Sequence, residues 1–229
     1  MGMGMRKILS SDEIYEDLSE KIVELKYMPG EKISENDLSA QYGVSRHVVR
    51  SAITRLKERK LVDVYPQRGT FVSLMDMKYI ETVLYVREAV EHEAASRLYR
   101  LADQELEELV GHMRENLVRQ LQAIHEGIAT RDFYEIDTAF HRLFMTAAGH
   151  GDAIDLVRES FVHVKRWRNF EIRSTEHLMS LYREHLEIAN GIEQKDWKGV
   201  NEALHNHLNT VERHKHLFTD ISPEYFIVR

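Results

Sequence analysis

The chain has 229 residues, of which 43% are hydrophobic and 30% charged, so its composition is that of a globular protein with room for one or two domains. It contains no cysteine, which excludes disulfide bonds, iron–sulfur clusters and thiolate zinc sites. The net charge of −7 argues against indiscriminate nucleic-acid binding, but it is uneven: +1 over residues 1–75 and −8 over residues 76–229. With no export signal and no apolar segment long enough to span a bilayer, the sequence predicts a cytoplasmic protein with no membrane partner.

The first predicted element is a helix capped by Ser11 or Asp12, after residues 1–10, which we expect to be frayed. Its apolar residues recur every three or four positions, as on the buried face of an amphipathic helix. They are Ile14, Leu18, Ile22 and Leu25. The Pro29-Gly30 pair that follows predicts a turn.

Residues 33–60 have helix-capping and turn residues at the positions expected for a helix-turn-helix. Ser34 can cap a short helix, because its hydroxyl can accept a backbone N–H of the first turn. Gly43 suits the turn that follows, because glycine adopts a positive φ readily. Ser45 can cap a second helix that runs to about Lys60. This second helix has one apolar stripe, formed by Val49, Ala52, Ile53 and Leu56.

The opposite side of the second helix is basic and predicts contact with DNA. Arg46, His47 and Arg50 lie near its N-terminus, where a DNA-reading helix carries long donors for base edges and phosphates. Residues 46–68 contain seven arginines and lysines against two acidic residues. The alternative is an ordinary helical hairpin with solvated cations.

A β wing is predicted directly after this helix. Leu61–Tyr65 and Thr70–Val72 read as two short strands, because they are rich in β-branched and aromatic residues. The turn between them carries Arg68 and Gly69, which we expect to contact the DNA backbone or the minor groove.

The same stretch resembles the winged helix-turn-helix of the GntR family of bacterial transcription regulators. The matching motifs are Glu35-x-Asp37-Leu38, Gly43-Val44-Ser45-Arg46, Val49-Arg50, Leu56, Leu61-Val62 and Arg68-Gly69-x-Phe71-Val72. Departures are His47-Val48, where the family usually has Thr-Pro, Lys60, where it often has Gly, and Asn36, where some members have Arg. The resemblance implies operator binding, and the departures leave the base preference open.

Beyond residue 75 the hydrophobic period is helical almost to the end of the chain. The junction Ser73–Met77 marks the predicted boundary between a winged helix-turn-helix domain, 1–75, and an effector- and metal-binding domain, 76–229. The second domain is expected to be a six-helix antiparallel bundle, so the fold class is mainly α with a small β wing. The helices are predicted at Asp76–Tyr99, Asp103–His125, Asp132–Ala148, Asp152–Ile172, Ser174–Ile192 and Asp196–Phe218. The tail from Ile221 is left unassigned.

Four polar residues lie on the apolar stripes of this bundle. Asp137 and His141 are one turn apart on the third helix, between phenylalanines. His185 sits within a stripe of leucine and isoleucine on the fifth helix, and His207 within a similar stripe on the sixth. His205 is two residues from His207 and therefore points elsewhere.

A carboxylate and three imidazoles are costly to bury separately, but they satisfy one another around a divalent cation. This donor set suits Zn²⁺ first, with Ni²⁺, Mn²⁺ or Fe²⁺ as the other candidates. For any single histidine, the alternative is a core residue bonded to a backbone carbonyl. Asp137 and His141 alone could also form a simple pair on one helix face.

The bundle resembles the FCD ligand-binding domain of the FadR subfamily of GntR regulators. The matching motifs are Arg87-x-x-x-Glu91, Asp137-x-x-x-His141, Glu184-His185-x-x-Ile188 and His207-Leu208. The resemblance implies that Asp137, His141, His185 and His207 bind a divalent metal. It also implies that Arg87 holds a small carboxylate effector, for which an ordinary ion pair with Glu88 or Glu91 is the alternative.

Taken together, the sequence predicts a DNA-binding transcription regulator, more often a repressor, whose operator affinity responds to a small organic acid at the metal. One small winged helix contacts too little DNA for tight specific binding, so we expect a homodimer on an inverted-repeat, double-stranded operator. One alternative is a metal-dependent hydrolase on a helical bundle. A second is a regulator whose histidine cluster is structural and binds no metal.

Overall fold

The chain has a small mixed α/β part followed by a helical bundle. The computed structural model describes residues 9–127, 130–156, 158–171, 175–214, 216 and 220–227. The elements of the first part are α1 (Ser11–Val23), β1 (Lys32–Ile33), α2 (Glu35–Tyr42), α3 (Arg46–Glu58), β2 (Val62–Tyr65) and β3 (Gly69–Val72).

Helix α1 begins one residue before the predicted start. Its N-cap is Ser10, whose hydroxyl accepts from the Glu13 backbone, while the Glu13 carboxylate accepts from the Ser10 backbone. This reciprocal capping box satisfies two donors at once, so the prediction of Ser11 or Asp12 as the cap is wrong. The predicted inward residue Leu25 lies beyond the helix end, with a φ of 59°.

The helix-turn-helix forms as the sequence indicates. Ser34 accepts from the Asp37 backbone at 3.3 Å, and Gly43 takes a φ of 67° at the turn. Ser45 stands at the N-cap of α3, as predicted, although its side chain makes no capping hydrogen bond. The apolar stripe of α3 packs with α1 and α2 into one core: Ile14, Leu18, Ile22, Leu38, Val49, Ala52, Ile53 and Leu56.

The wing is a three-stranded antiparallel sheet in the order β1-β3-β2. The two predicted strands are present, while β1 has only two residues and was not predicted. The tip needs Gly69, which has a φ of 113° and leaves only 2.9 Å between the position of a Cβ and the side chain of Lys32.

The second part is mainly helical. Its elements are β4 (Met75–Asp76), α4 (Met77–Arg97), α5 (Asp103–Glu126), α6 (Thr130–Ala147), α7 (Ala153–Leu156), α8 (Arg158–Glu171), α9 (Thr175–Glu193), α10 (Trp197–Leu208), α11 (Thr210–Arg213) and β5 (Phe226–Ile227). The fourth predicted helix corresponds to α7 and α8, on either side of residue 157, which lies outside the described residues. The sixth is interrupted at Asn209, whose backbone leaves the helical region at a ψ of 54°.

The bundle core lies where α5 packs against α6 and α9, and where α10 packs against α9 and α4. Its fully buried side chains include Met113, Phe140, Phe144, Ile188 and Leu204. No helix in the described part of the chain has the length and apolarity to span a membrane.

The end of the described chain returns to the junction between the two parts. Strand β5 pairs in parallel with β4, aligning Phe226 with Met75. Phe226 is 6% exposed and packs against Trp167 and Phe170 of α8. The tail that the sequence left unassigned therefore adds a strand to the junction that follows the wing.

Candidate metal centre and DNA interface

Four side chains from three helices of the bundle meet in its interior. Helix α6 supplies Asp137 and His141, α9 supplies His185, and α10 supplies His207. All four are at most 2% exposed, and each offers one ligand atom within 4.8 Å of the others. The structure therefore brings together all four residues that the sequence analysis singled out as metal ligands.

The three imidazoles face one another through the same atom. Nε2 of His141 lies 3.1 Å from Nε2 of His207 and 3.3 Å from Nε2 of His185. Nε2 of His185 is 3.4 Å from Asp137 Oδ1. Two ligand atoms on one zinc ion, each about 2.1 Å from the metal, are separated by about 3.0–3.4 Å. The spacing fits a shared cation.

An outer hydrogen bond orients each ring. The acceptors of the three Nδ1 atoms are Glu91 for His141 at 2.6 Å, Gln120 for His185 at 2.8 Å, and Glu184 for His207 at 2.9 Å. The amide nitrogen of Gln120 donates to Asn116, so its oxygen is the atom that faces His185. Because these partners accept, each Nδ1 carries a proton, and each neutral ring presents a lone pair at Nε2.

Three converging lone pairs repel one another unless a cation lies between them. The carboxylate of Asp137 adds a fourth donor on the same side of the cluster. An imidazole whose other nitrogen donates to an acceptor is also the usual arrangement of a metal-binding histidine, because that acceptor fixes the tautomer. The residues present therefore fit a divalent metal.

The protonation states also suit metal binding. Burial lowers the pKa of His141 to about 4, in spite of the nearby Glu91 carboxylate. Burial and the neighbouring His185 hold the pKa of His207 well below its usual value. Burial would raise the pKa of Asp137, but the charge of Arg168 outweighs it, so that pKa is well below its usual value. Two neutral rings and a carboxylate can ligate without first losing a proton.

Arg87, the predicted effector-binding residue, is buried beside this cluster. Its Nε donates to Glu91, the same carboxylate that holds His141, and its guanidinium lies 5.6 Å from the ring centre of Phe161. Burial would raise the pKa of Glu91, but the charge of Arg87 brings it below its usual value, so Glu91 is ionised. The ion pair between Arg87 and Glu91, considered in the sequence analysis, is formed. The Glu91 carboxylate therefore bridges Arg87 and His141.

Arg168 is a further charged neighbour that the sequence analysis missed. Its Nη1 lies 3.2 Å from both carboxylate oxygens of Asp137, and both side chains are 3% exposed. The outer partners Glu91, Gln120 and Glu184 were missed as well. Glu184 directly precedes His185 in the sequence, and Gln120 is a polar residue on an apolar stripe, so these two carried a local signal, whereas the contact of Glu91 with His141 did not.

The predicted DNA-binding side chains are exposed on α3 and at the wing. Arg46 and His47 are exposed in the first turn of α3. Arg50 is also exposed, but its guanidinium binds Glu35 of α2. Arg68 and Gly69 are together at the end of the β2–β3 turn. The structure thus places the predicted cations on the recognition helix and the wing.

Helix α8 joins this region to the bundle. Three polar side chains of α8, spaced three residues apart, contact the winged helix-turn-helix: His163 binds Arg59 O at 2.8 Å, Arg166 binds Ser73 O at 2.7 Å, and Asn169 binds Val23 O at 2.8 Å. The three acceptors are main-chain carbonyls: Arg59 and Ser73 directly follow α3 and β3, and Val23 is the last residue of α1. The helix that carries Arg168 toward Asp137 therefore also holds the ends of three elements of the winged helix-turn-helix.

Comparison with known families accounts for both parts of the chain. Residues 10–72 match the family described as bacterial regulatory proteins, gntR family, and residues 82–210 match the FCD domain. The chain belongs to the GntR family. The regulator carries the FCD domain, consistent with the FadR subfamily. All four residues of the histidine cluster and Arg87 lie within the FCD match, and the recognition helix lies within the other.

Relatives match the regulator over most of its length. A transcriptional regulator in an unstable DNA locus of Streptomyces ambofaciens is 32% identical over 93% of this chain and 88% of its own. The transcriptional repressor RspR of Escherichia coli K12 is 30% identical over 88% of this chain and 86% of its own. The structure of E. coli McbR/YncC has a TM-score of 0.62 at 18% identity, covering 89% of this chain and 95% of that one, which shows a shared fold. The chain is accordingly a DNA-binding transcription regulator.

Proposed function

We propose that this regulator binds a divalent metal, zinc first with nickel or manganese as alternatives, through Asp137, His141, His185 and His207. The observation that carries the proposal is the convergence of three Nε2 atoms and a carboxylate, each ring being tied outward through Nδ1. With these four protein ligands, a metal that takes five or six ligands in total would keep one or two positions for a small anion.

The effector that suits this site is a small carboxylate. Arg87 is a buried cation that reaches Glu91 on one side of the cluster, and a second guanidinium, from Arg168, reaches Asp137. A buried carboxylate needs charge-assisted donors to offset its desolvation, and arginine provides two parallel ones. An acid that binds Arg87 would compete with Glu91 for the same guanidinium and would thereby alter the hydrogen bond to His141.

Helix α8 gives this site a direct connection to the recognition helix. Arg168 contacts Asp137, while His163, five residues earlier, contacts the carbonyl of Arg59, which directly follows α3. A change at Asp137 that moves α8 would therefore move the end of α3. The expected coupling between effector and operator is about 1–3 kcal/mol, the usual range for allosteric proteins.

At the operator, Arg46 and Arg50 would contact base edges or phosphates, His47 would lie beside them, and Arg68 with Gly69 would approach the backbone or minor groove. The exposure of the four side chains on α3 and at the wing supports this docking. A homodimer would present two such surfaces to an inverted repeat, and we infer that it acts as a repressor, as its relative RspR is named.

The decisive experiment measures operator affinity in the metal-stripped protein, after addition of zinc, and after addition of a panel of small organic acids. Elemental analysis and mass spectrometry of the purified protein would identify a retained metal and acid. We expect one metal per chain and an acid-dependent change in operator affinity that Arg87→Ala abolishes. An equal response in the parent and in Arg87→Ala would show that Arg87 does not bind the effector.

A further inference from the structure

The recognition surface contains an acidic residue that its DNA-binding function does not explain. Glu35 is the first residue of α2, and its Oε2 accepts from both Nε and Nη2 of Arg50, at 3.3 and 2.9 Å. Arg50 lies on the exposed face of α3, opposite the buried stripe, with its side chain 68% exposed. The carboxylate is thus beside the guanidinium that faces the operator.

A carboxylate at this place weakens nonspecific DNA binding, because it repels the phosphates that the surrounding cations attract. A hydrogen-bond donor on the DNA would offset this repulsion. Base edges in the major groove offer such donors as exocyclic amino groups, and a glutamate typically accepts from N4 of cytosine. An arginine fork in the same place reads O6 and N7 of guanine.

The geometry of Glu35 and Arg50 would allow the pair to accept from a cytosine and donate to a guanine at the same time. Among the described residues, Oε1 of Glu35 and Nη1 of Arg50 have no hydrogen-bond partner, so one acceptor and one donor remain beside a shared ion pair. The ion pair also limits the rotamers of Arg50, which lowers the entropy lost when the guanidinium binds a base. Guanine and cytosine present the complementary acceptor and donor groups within one base pair or between neighbours.

We propose that Glu35 is a specificity-determining residue, which accepts from the amino group of a cytosine and positions Arg50 on the adjacent guanine. The inference rests on the proposed contact of Arg50 with operator bases. It predicts that removing Glu35 changes nonspecific affinity and base-pair discrimination in opposite directions. Loss of Glu35 should tighten nonspecific binding and weaken discrimination between G·C and other pairs at the positions that Arg50 reads.

Asp37 provides a matched control. It is an exposed acid in the same turn of α2, and its carboxylate has no hydrogen bond or ion pair with a described residue. Asp37→Ala removes the same charge from the same region while leaving the contact between Glu35 and Arg50 in place. Any effect that depends only on net charge should therefore be equal in Glu35→Ala and Asp37→Ala.

The experiment selects binding sites for the full-length protein from a randomised duplex library, followed by titration of the selected duplex and of its single-base-pair variants. Glu35→Ala, Glu35→Gln, Asp37→Ala and Arg50→Ala are compared with the parent. We expect Glu35→Ala to lose about tenfold in discrimination at one or two base pairs of each half-site, a typical effect of one base contact. We expect it to bind random duplex about threefold more tightly, as should Asp37→Ala, which keeps the parent base preference.

Three outcomes would overturn the proposal. One is a Glu35→Ala protein that selects the parent sequence with unchanged discrimination. Another is a uniform gain in affinity for all duplexes, equal to that of Asp37→Ala, which would mean that Glu35 acts only through its charge. The third is an Arg50→Ala protein that selects the parent sequence, which would refute the proposed contact of Arg50 and with it the role of Glu35. If Arg50→Ala loses the preference and Glu35→Ala keeps it, the contact of Arg50 stands alone.

Discussion

The proposed metal centre can be tested with two variants of one helix, His207→Ala and His205→Ala. His207 is fully buried, with Nε2 3.1 Å from that of His141, whereas the side chain of His205 is 56% exposed and forms a hydrogen bond with Glu88. Changing an outer partner of a metal ligand typically costs 10–100-fold in affinity. Losing the ligand itself should cost at least about 100-fold, which corresponds to about 2.7 kcal/mol.

That loss appears in the thermal stability, because a metal that binds only the folded state stabilises it according to its affinity. In a chain of this size 1 kcal/mol shifts Tm by about 2–4 °C, so the zinc-induced rise should be about 5–11 °C smaller in His207→Ala. The assay is thermal unfolding of chelator-treated protein with and without zinc, together with elemental analysis. The difference between the two temperatures is the relevant quantity, since the cavity left by His207→Ala lowers both of them.

We expect His205→Ala to keep both its zinc content and the full zinc-induced rise in Tm. The reasoning would be refuted if His207→Ala responded to zinc as the parent does. It would equally be refuted if both variants lost the response, because two residues that point in different directions on α10 cannot both be ligands of this site.

Further predictions concern stability. Glu91→Gln should destabilise the protein by about 3 kcal/mol in chemical denaturation without metal, because it leaves the buried guanidinium of Arg87 without its charged partner; a change below about 1 kcal/mol would contradict this. Burial lowers the pKa of His163 to about 4, so the unfolded chain binds its proton more tightly than the folded chain. The free energy of unfolding should therefore fall as the pH decreases from about 6.5 to about 4. This loss should be about 1–3 kcal/mol smaller in His163→Gln, whose side chain can still donate to Arg59 O. Phe226→Ala should cost about 3 kcal/mol, as expected for a buried phenylalanine, and an unchanged Tm would show that β5 does not stabilise the junction.

Much of the fold follows from patterns that are local in the sequence. The stripes of α3 and of the bundle helices have the 3.6-residue period that burial on one side requires, and Gly43 and Gly69 mark turns that need a positive φ. The strands β1 and β5 have two residues each, too few to show any alternation. Their existence depends on partners that are distant in the chain.

The residues of the candidate site also divide into those that are recognisable within one helix and those that depend on packing between helices. Asp137 and His141 are one turn apart, and His185 and His207 interrupt apolar stripes, so each could be selected from its own helix. Glu91 and Arg168 could not, because their contacts depend on how α4 and α8 are rotated against α6. The pairing of Glu35 with Arg50 likewise depends on the crossing of α2 and α3. Charged residues on two different helices carry no mark of facing each other in the sequence.

The contacts of α8 with the winged helix-turn-helix have a consequence for how such regulators diversify. His163, Arg166 and Asn169 bind main-chain carbonyls, which every amino acid provides. A substitution on the recognition helix can change the operator that is read without removing an acceptor that the bundle needs. One FCD domain can therefore remain joined to a winged helix-turn-helix whose DNA-contacting side chains change over evolution. Residues for a new operator can likewise be introduced on α3 without changing the contacts of α8.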